Sequence, residues 1–185
     1  MKNRTIIKTR FMLILFTGIC FYAQSQNHSS AIEFLGGYSP HGIGIALNYD
    51  HHTSRTGFVQ GGIYYSSNKA EVKESLKVSY NTFNVNIGYI TNIYTSRLES
   101  IKLNIGGGGL IGYEEVNHGN GLLENGALLL DRSKFIYGGL ALIELDIYIN
   151  NDIGLVLRFS EYYHVNSDLG AFTLFAGVGV RYFLF

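Results

Sequence analysis

Six charged side chains stand in stretches that otherwise alternate between apolar and small residues. They are Glu33, Lys102, Glu144, Asp146, Arg158 and Arg181. Successive side chains of a strand point to opposite faces, so these charges lie on the face away from the large apolar side chains. If that face lines a closed lumen, each charge needs a partner, because an isolated buried charge is costly. We therefore predict an ion-pair network in the lumen rather than a pair of catalytic carboxylates.

Other motifs that could carry chemistry are weak. The run Gly106–Gly109 lacks the Lys-Ser/Thr and the helix of a phosphate-binding loop, so we interpret it as a strand with small lumen-facing residues and a possible kink. His51 and His52 would point to opposite faces of a strand, and we assign them to a solvated turn rather than to a metal site. With no Gly-x-Ser-x-Gly or Ser-His-Asp arrangement evident, we expect no catalytic residues, no cofactor, no metal and no enzymatic activity.

The composition excludes several classes of protein. The 185 residues include 23 glycines, 14 tyrosines and 12 phenylalanines but one cysteine, and 46% of them are hydrophobic while 15% are charged. Such an apolar chain is not disordered, and a single cysteine cannot build a disulfide scaffold. Basic and acidic residues are equal at 14 each, which disfavours a basic nucleic-acid-binding protein, so we expect no direct contact with nucleic acid.

Residues 1–25 have the pattern of a cleaved secretory signal peptide. Four basic residues precede an apolar run from Phe11 to Ala23, and a polar segment follows. Thirteen apolar residues are too few to span a bilayer as a stable helix. Cys20 is expected to leave with the signal. The domain is then 26–185, with 10 basic and 14 acidic residues, and it is exported.

Eight segments of the mature chain alternate with a period of two residues, which predicts β-strands. Their approximate bounds are 31–38, 43–50, 57–65, 78–90, 101–113, 135–149, 153–163 and 172–185. In the second, Ile43, Ile45, Leu47 and Tyr49 alternate with Gly44, Ala46, Asn48 and Asp50. Helix-like composition is confined to the short, charged segment Lys69–Lys77.

The face opposite the apolar side chains decides between two all-β architectures. A soluble sandwich would carry many Lys and Glu there, whereas this face carries Gly, Ala, Asn, Ser and isolated charges, which suit a narrow lumen. Tyrosines near strand ends suit interfacial aromatic girdles. They are Tyr38, Tyr49, Tyr89, Tyr113 and Tyr148. We predict an eight-stranded antiparallel up-and-down transmembrane β-barrel of outer-membrane type. A soluble periplasmic sandwich or lipocalin-like barrel is the alternative.

The connections and the last strand complete this prediction. Loops are expected at 66–77 and between Glu114 and Lys134, and a tight turn at Asn150–Asp152. The leucines of the 114–134 loop indicate either a partner contact or a loop folded back over the barrel. In the last strand, Phe183 and Phe185 share the parity of Arg181, so we predict a bulge near Tyr182. A terminal aromatic such as Phe185 resembles the assembly signal of outer-membrane barrels.

The stretch from Gly112 to Gly139 carries three motifs in a fixed order: G-Y-E-x-V-N-x-G, L-L-x-N-G-A and F-I-Y-G. They comprise Gly112, Tyr113, Glu114, Val116, Asn117, Gly119, Leu122, Leu123, Asn125, Gly126, Ala127, Phe135, Ile136, Tyr137 and Gly138. In these motifs the sequence resembles the TraO family of conjugative-transposon transfer proteins. The clear resemblance covers roughly the last 85 residues, and it implies an exported component of a conjugative, type IV-like DNA-transfer apparatus without enzymatic activity.

We therefore expect a structural outer-membrane protein that contacts lipid and docks other conjugal transfer proteins. An eight-stranded lumen is too narrow for DNA, so the barrel itself is not expected to be the conduit. The alternatives are a generic small outer-membrane barrel for adhesion or surface stability, a membrane-embedded enzyme acting on lipid or peptide, and a soluble periplasmic lipid carrier.

Overall fold

The computed structural model describes residues 30–40, 42–73, 76–117, 133–167 and 170–184. Buried and exposed side chains alternate along its strands, as the sequence predicts. Most of these residues lie in eight strands. The strands are β1 Ser30–Ser39, β2 Gly42–His52, β3 Gly57–Lys73, β4 Leu76–Thr95, β5 Ile101–Val116, β6 Lys134–Tyr148, β7 Ile153–His164 and β8 Phe172–Leu184. The predicted signal peptide with Cys20, and the terminal Phe185, lie outside the described residues. No helix in the described ranges is long and apolar enough to cross a membrane.

Each strand pairs antiparallel with its neighbour in sequence, and β1 also pairs with β8 to close a barrel. The closing register sets Glu33 opposite Arg181 and Ser30 opposite Leu184. Closure leaves no strand edge with unpaired backbone groups along the barrel wall, as a sheet surrounded by lipid requires. The eight-stranded up-and-down barrel predicted from the alternation is confirmed. We call the end that holds the start of β1 and the end of β8 the terminal end, and the opposite end the loop end.

The apolar face of each strand lies outside the barrel. In β2, Ile43, Ile45, Leu47 and Tyr49 are exposed, whereas Gly44, Ala46, Asn48 and Asp50 are buried in the lumen. A soluble barrel buries its large apolar side chains, so this inversion is the pattern of a barrel whose outer solvent is hydrocarbon. Four of the five predicted girdle tyrosines are exposed on this outer face: Tyr38, Tyr49, Tyr89 and Tyr113.

Tyr148 was wrongly assigned to the girdle, and the predicted bulge near Tyr182 is also wrong. Tyr148 follows Glu144 and Asp146 on the lumen face of β6, where its ring stacks 5.3 Å from that of Phe183. The register of β8 with β1 runs without a shift past Tyr182 to Leu184, and its register with β7 is regular up to Tyr182. Phe183 simply faces the lumen beside Arg181 and is buried, because a narrow lumen can be filled by an aromatic ring.

The strands in the middle of the chain are longer than predicted. The expected loop at 66–77 is largely strand, since β3 continues to Lys73 and β4 begins at Leu76. The ladder between β2 and β3 stops at the pair Gly42–Asn68, so β3 beyond Asn68 is paired with β4 alone. This segment forms strands despite its helix-like composition, because each further residue adds to the hydrogen-bonded ladder that β3 and β4 have already formed. About nine to eleven residues of a tilted strand span a bilayer. At the loop end, this hairpin therefore extends beyond the band of exposed apolar side chains around the outer wall, which we call the apolar belt.

The turns at the terminal end are short. Between β6 and β7, the Asn150 side-chain oxygen accepts hydrogen bonds from the backbone N–H groups of Asp152 at 2.9 Å and Ile153 at 2.7 Å. This side-chain mimic of a backbone turn explains why the Asn-Asn-Asp sequence reverses the chain there, as predicted.

Besides neutral polar side chains such as Asn84 and His164, the lumen contains apolar clusters and a group of charged side chains. Toward the loop end lies an apolar cluster, in which Tyr64 stacks on Tyr162 at 4.5 Å and meets Phe175 edge-on at 5.2 Å. Its other buried members are Leu35, Ala46, Leu110 and Val156. Toward the terminal end lie charged side chains, flanked by a smaller apolar cluster of Phe58, Ile90 and Leu142. The core of this protein is therefore the inside of the barrel.

Candidate functional site

Arg181 is the centre of the charged half of the lumen. It is buried on the lumen face of β8, and its guanidinium contacts four carboxylates. Its Nη1 lies 2.5 Å from Asp146, its Nε lies 2.9 Å from Asp50, and its Nη2 contacts both Glu33 and Glu144. A planar guanidinium presents five N–H donors in a fixed fork, so one arginine can hold carboxylates that come from different strands.

Arg158, on β7, is a second buried guanidinium that shares two of these carboxylates. Its Nε donates to Glu144 at 3.0 Å, its Nη2 contacts Glu33 at 2.9 Å, and its Nη1 donates to the amide oxygen of Gln60 at 2.9 Å. Glu33 and Glu144 therefore each bridge both arginines. We call Arg158, Arg181, Glu33, Asp50, Glu144 and Asp146 together the arginine cluster.

Amide side chains complete the arginine cluster. Asn48 donates to Glu33 at 2.7 Å, and Gln60 donates to Asp50 at 2.6 Å. Asn104 donates to both Glu144, at 3.0 Å, and Asp146, at 2.9 Å. These bonds matter because taking carboxylates out of water is costly unless their lone pairs are satisfied. The cluster is thus a network that ties strands on opposite sides of the lumen together.

Five of the six charges predicted to share the lumen are brought together, and the sixth is not. Lys102 faces the lumen near the terminal end, where its ammonium lies 4.9 Å from the centroid of the Tyr148 ring. Asp50 takes part in the cluster although the prediction omitted it. Its signal was present, because Asp50 shares the parity of Ala46 and Asn48 on β2.

The geometry of the arginine cluster suits structure better than catalysis. Four carboxylates surround two guanidiniums, and all six residues are buried. An acid-base pair needs a carboxyl that a substrate can reach, whereas these are held by arginine and amide donors inside a filled barrel. Among the described residues, no group of three or more His, Cys, Asp and Glu side chains is arranged to hold a metal ion.

The histidine and glycine motifs prove to be parts of strands. His51 and His52 are the last residues of β2 rather than a solvated turn, with His51 exposed and the His52 ring 5.0 Å from that of Phe58. Of Gly106–Gly109, two residues face the lumen and two face outward. A Cβ on Gly108 would lie 2.1 Å from the carbonyl oxygen of Ile87, so close contact between β4 and β5 requires glycine there. The pairing of β5 shows no register shift at these glycines.

The described residues of the three motifs between Gly112 and Gly139, which we call the signature motifs, lie where β5 and β6 pair at the loop end. Tyr113 pairs with Phe135 in register, and their rings contact edge-on at 5.3 Å. Glu114 is buried and accepts a hydrogen bond from Ser167. Asn117 has a φ of 48°, a left-handed conformation that asparagine tolerates better than most residues. The other described signature residues, Gly112, Tyr137 and Gly138, lie on the same two strands. Gly119, Leu122, Leu123 and Gly126 lie outside the described residues, as does most of the leucine-rich 114–134 loop.

A closed barrel that is apolar outside and filled with paired charges inside defines a small transmembrane β-barrel of outer-membrane type. Solved structures share the fold. Neisserial surface protein A (NspA) is 10% identical with a TM-score of 0.54, and the match covers 84% of this chain and 94% of that one. The N-terminal β-barrel domain of Pseudomonas aeruginosa OprF is 11% identical with a TM-score of 0.50, and the match covers 85% of this chain and 100% of that domain.

The family follows from the sequence match. Residues 37–184 match the family described as conjugative transposon protein TraO, so the chain belongs to the TraO family. The resemblance carried by the three motifs is thereby confirmed, and the match extends upstream of them through most of the barrel. No curated protein matches the chain. Membership implies a role in conjugative transposition.

Proposed function

We propose that this TraO-family protein is a non-enzymatic outer-membrane component of a conjugative, type IV-like DNA-transfer apparatus. Family membership supports the transfer role. One observation supports the membrane role above all: the exposed face of the wall consists mainly of large apolar side chains on every strand, so its stable surroundings are lipid tails. The proposal places residues 26–185 in the outer membrane after removal of the signal peptide.

Anchoring is the mechanism that this architecture favours. The closed ladder and the arginine cluster make a rigid cylinder, because each arginine links carboxylates on several strands. Such a cylinder fixes its loops and turns at constant positions relative to the bilayer. We propose that these connections, together with the β3–β4 hairpin beyond the belt, dock other conjugal transfer proteins.

The filled lumen supports a role other than conduction. The packed rings of Tyr64, Tyr162 and Phe175 occupy the loop half, and the arginine cluster occupies the terminal half. DNA is far wider than the interior of an eight-stranded barrel. We therefore propose that the protein contacts transfer proteins and lipid rather than DNA. Purified barrel in planar bilayers should show no stable open-pore currents, and large steady conductance would contradict this part of the proposal.

The deciding experiment is deletion of the gene from the conjugative element, followed by complementation with the intact chain. We expect the transfer frequency to fall strongly on deletion and to recover with the intact gene. The protein should sediment with outer membranes in a sucrose gradient and should show the heat-dependent gel mobility of a folded barrel. Normal transfer after deletion, or recovery of the protein in the soluble periplasmic fraction, would overturn the proposal.

A further inference from the structure

Glu161 is an acidic side chain on the otherwise apolar outer face of β7. It is exposed, and it stands between Phe159 and Tyr163 in the outward-facing row of that strand. Its neighbours across the sheet are Ala141 on β6 and Leu174 on β8. None of these four neighbours carries a charge.

Glu161 lies inside the apolar belt rather than above it. Aromatic side chains on three adjacent strands stand closer to the loop end: Tyr137, Tyr163 and Phe172. The rings of Tyr163 and Phe172 are in contact, with centroids 5.0 Å apart. By contrast, the outward-facing Lys69 and Glu115 lie on the loop side of Tyr65 and Tyr113, beyond the belt.

Nothing in the described part of the chain compensates this charge. No hydrogen bond or ion pair joins Glu161 to another residue there. A charged side chain on the lipid face of a barrel destabilises it to a degree that depends on depth. Ionisable groups in the apolar zone of a membrane usually pair with a partner and mark function.

The outward-facing side chains beside Glu161 are small enough for another chain to approach the barrel wall closely. Two outward residues of β5 and two of β6 form a patch without large side chains: Gly107, Gly109, Gly139 and Ala141. Small residues at a membrane interface let backbones pack closely, so that dispersion contacts and hydrogen bonds hold the pair together. This patch adjoins Glu161 through the register pair Ala141–Glu161.

We propose that this outer face of β5, β6 and β7 is a lateral docking surface, and that Glu161 binds a lysine or arginine on a membrane-spanning segment of another transfer protein. Charge complementarity selects the occupant, because a lone carboxylate in the belt is satisfied best by a cation at the same depth. The inference rests on the proposed function, since it says where one partner of the anchored barrel binds.

A second copy of this chain fits less well. Across the described residues, the outward-facing rows within the belt contain no lysine or arginine. Lys69 lies beyond the belt and on β3, four strands away from β7. A copy therefore offers no cation at the depth of Glu161.

Photo-crosslinking in cells that carry the full conjugative element tests the surface. A photoreactive amino acid is placed at Ala141 or, as the matched probe, at Ile45, which faces outward from β2 on the opposite wall. We expect the Ala141 probe to yield an adduct with a membrane-spanning protein encoded by the same element, and the Ile45 probe to yield none. An adduct of the chain with itself, or no protein adduct at Ala141, would overturn the inference.

Substitution at Glu161 tests the charge itself. In the Ala141 probe strain, Glu161→Leu should lower the adduct yield by about tenfold or more, because the partner's cation loses its carboxylate. The urea midpoint of the purified barrel should stay the same or rise, which a merely structural role of Glu161 would not produce. Glu115→Leu, an outward glutamate beyond the belt, is the control and should leave the yield unchanged.

The two proposals fail in different ways. If Glu161→Leu leaves the adduct intact, the docking role of this carboxylate is wrong, although loss of transfer on deletion would still support the anchoring role. Normal transfer on deletion would remove the anchoring role and this surface with it.

Discussion

The two halves of the lumen contain different kinds of side-chain cluster, one apolar and one charged. The loop half is held by aromatic and aliphatic packing around Phe175, whereas the terminal half is held by the arginine cluster around Arg181. Both halves close the same cylinder and are equally buried. They differ in how they respond to the loss of one side chain, because packing is distributed over many weak contacts and ion pairs over few strong ones.

This difference bears on what each half does for an anchor. An apolar plug tolerates changes of shape, since neighbouring side chains fill part of any gap. An ion cluster specifies partners, because a carboxylate without its guanidinium remains buried at high cost. The cluster also joins residues distant in sequence, such as Glu33 with Arg181 across the β1–β8 seam where the barrel closes. We infer that the charged half secures correct closure and that the apolar half fills the remaining space.

The largest effect is expected from Arg181→Met. The substitution removes the group that contacts all four carboxylates and leaves Asp50 and Asp146 without a guanidinium partner. Breaking a buried charge network in this way costs about 3–5 kcal/mol of unfolding free energy. Urea unfolding of the barrel refolded in detergent, followed by gel mobility, measures the loss.

The control for this variant is Arg97→Met. Arg97 is exposed in the turn between β4 and β5, where a substitution should change stability by less than about 0.5 kcal/mol. Equal unfolding midpoints for the two variants would show that the arginine cluster contributes no stability, and the contrast between the halves would be lost.

A smaller effect is expected from Phe175→Leu in the apolar half. Phe175 is fully buried against Tyr64, so the variant loses an edge-on aromatic contact and leaves a small gap. We expect a loss of about 1–2 kcal/mol in the same urea assay.

Phe34→Leu makes the same chemical change on the outer face of β1, where lipid replaces the lost contacts. It should shift the unfolding free energy by less than about 0.5 kcal/mol. If Phe175→Leu destabilises the barrel as much as Arg181→Met does, the two halves respond alike and the proposed difference is wrong.

Local alternation was enough to predict the strands and most of the cluster. Ile43 to Asp50 on β2 show why, since each residue's face follows from parity alone. Parity also indicated the faces of Asp50 and Tyr148. Asp50 was placed on the correct face but left out of the predicted charge network, and Tyr148 was wrongly placed in the girdle because it lies near a strand end. Both errors could have been avoided from the sequence.

Other features depend on pairings that no local pattern encodes. That Glu33 meets both Arg158 and Arg181 is a consequence of barrel closure between β1 and β8. The charged segment after Asn68 has helix-like composition, yet it extends a hairpin whose register was already established by β3 and β4. Which neighbour is reached across the lumen is a property of strand number and register together.

Among the substitutions inside the lumen, the smallest effect is expected from Asp146→Asn, which sharpens the comparison within the cluster itself. Asp146 contacts Arg181 and Asn104 through one oxygen, and its other oxygen has no hydrogen-bond partner. An asparagine keeps the accepting oxygen, and the cluster of four carboxylates and two guanidiniums loses one of its excess negative charges. We expect the unfolding free energy to change by less than about 1 kcal/mol in the urea assay.

Glu144→Gln is the informative counterpart, because Glu144 bridges both arginines and its loss should cost more than that of Asp146. A larger loss for Asp146→Asn than for Glu144→Gln would mean that the bridging carboxylates are not what holds the two arginines together.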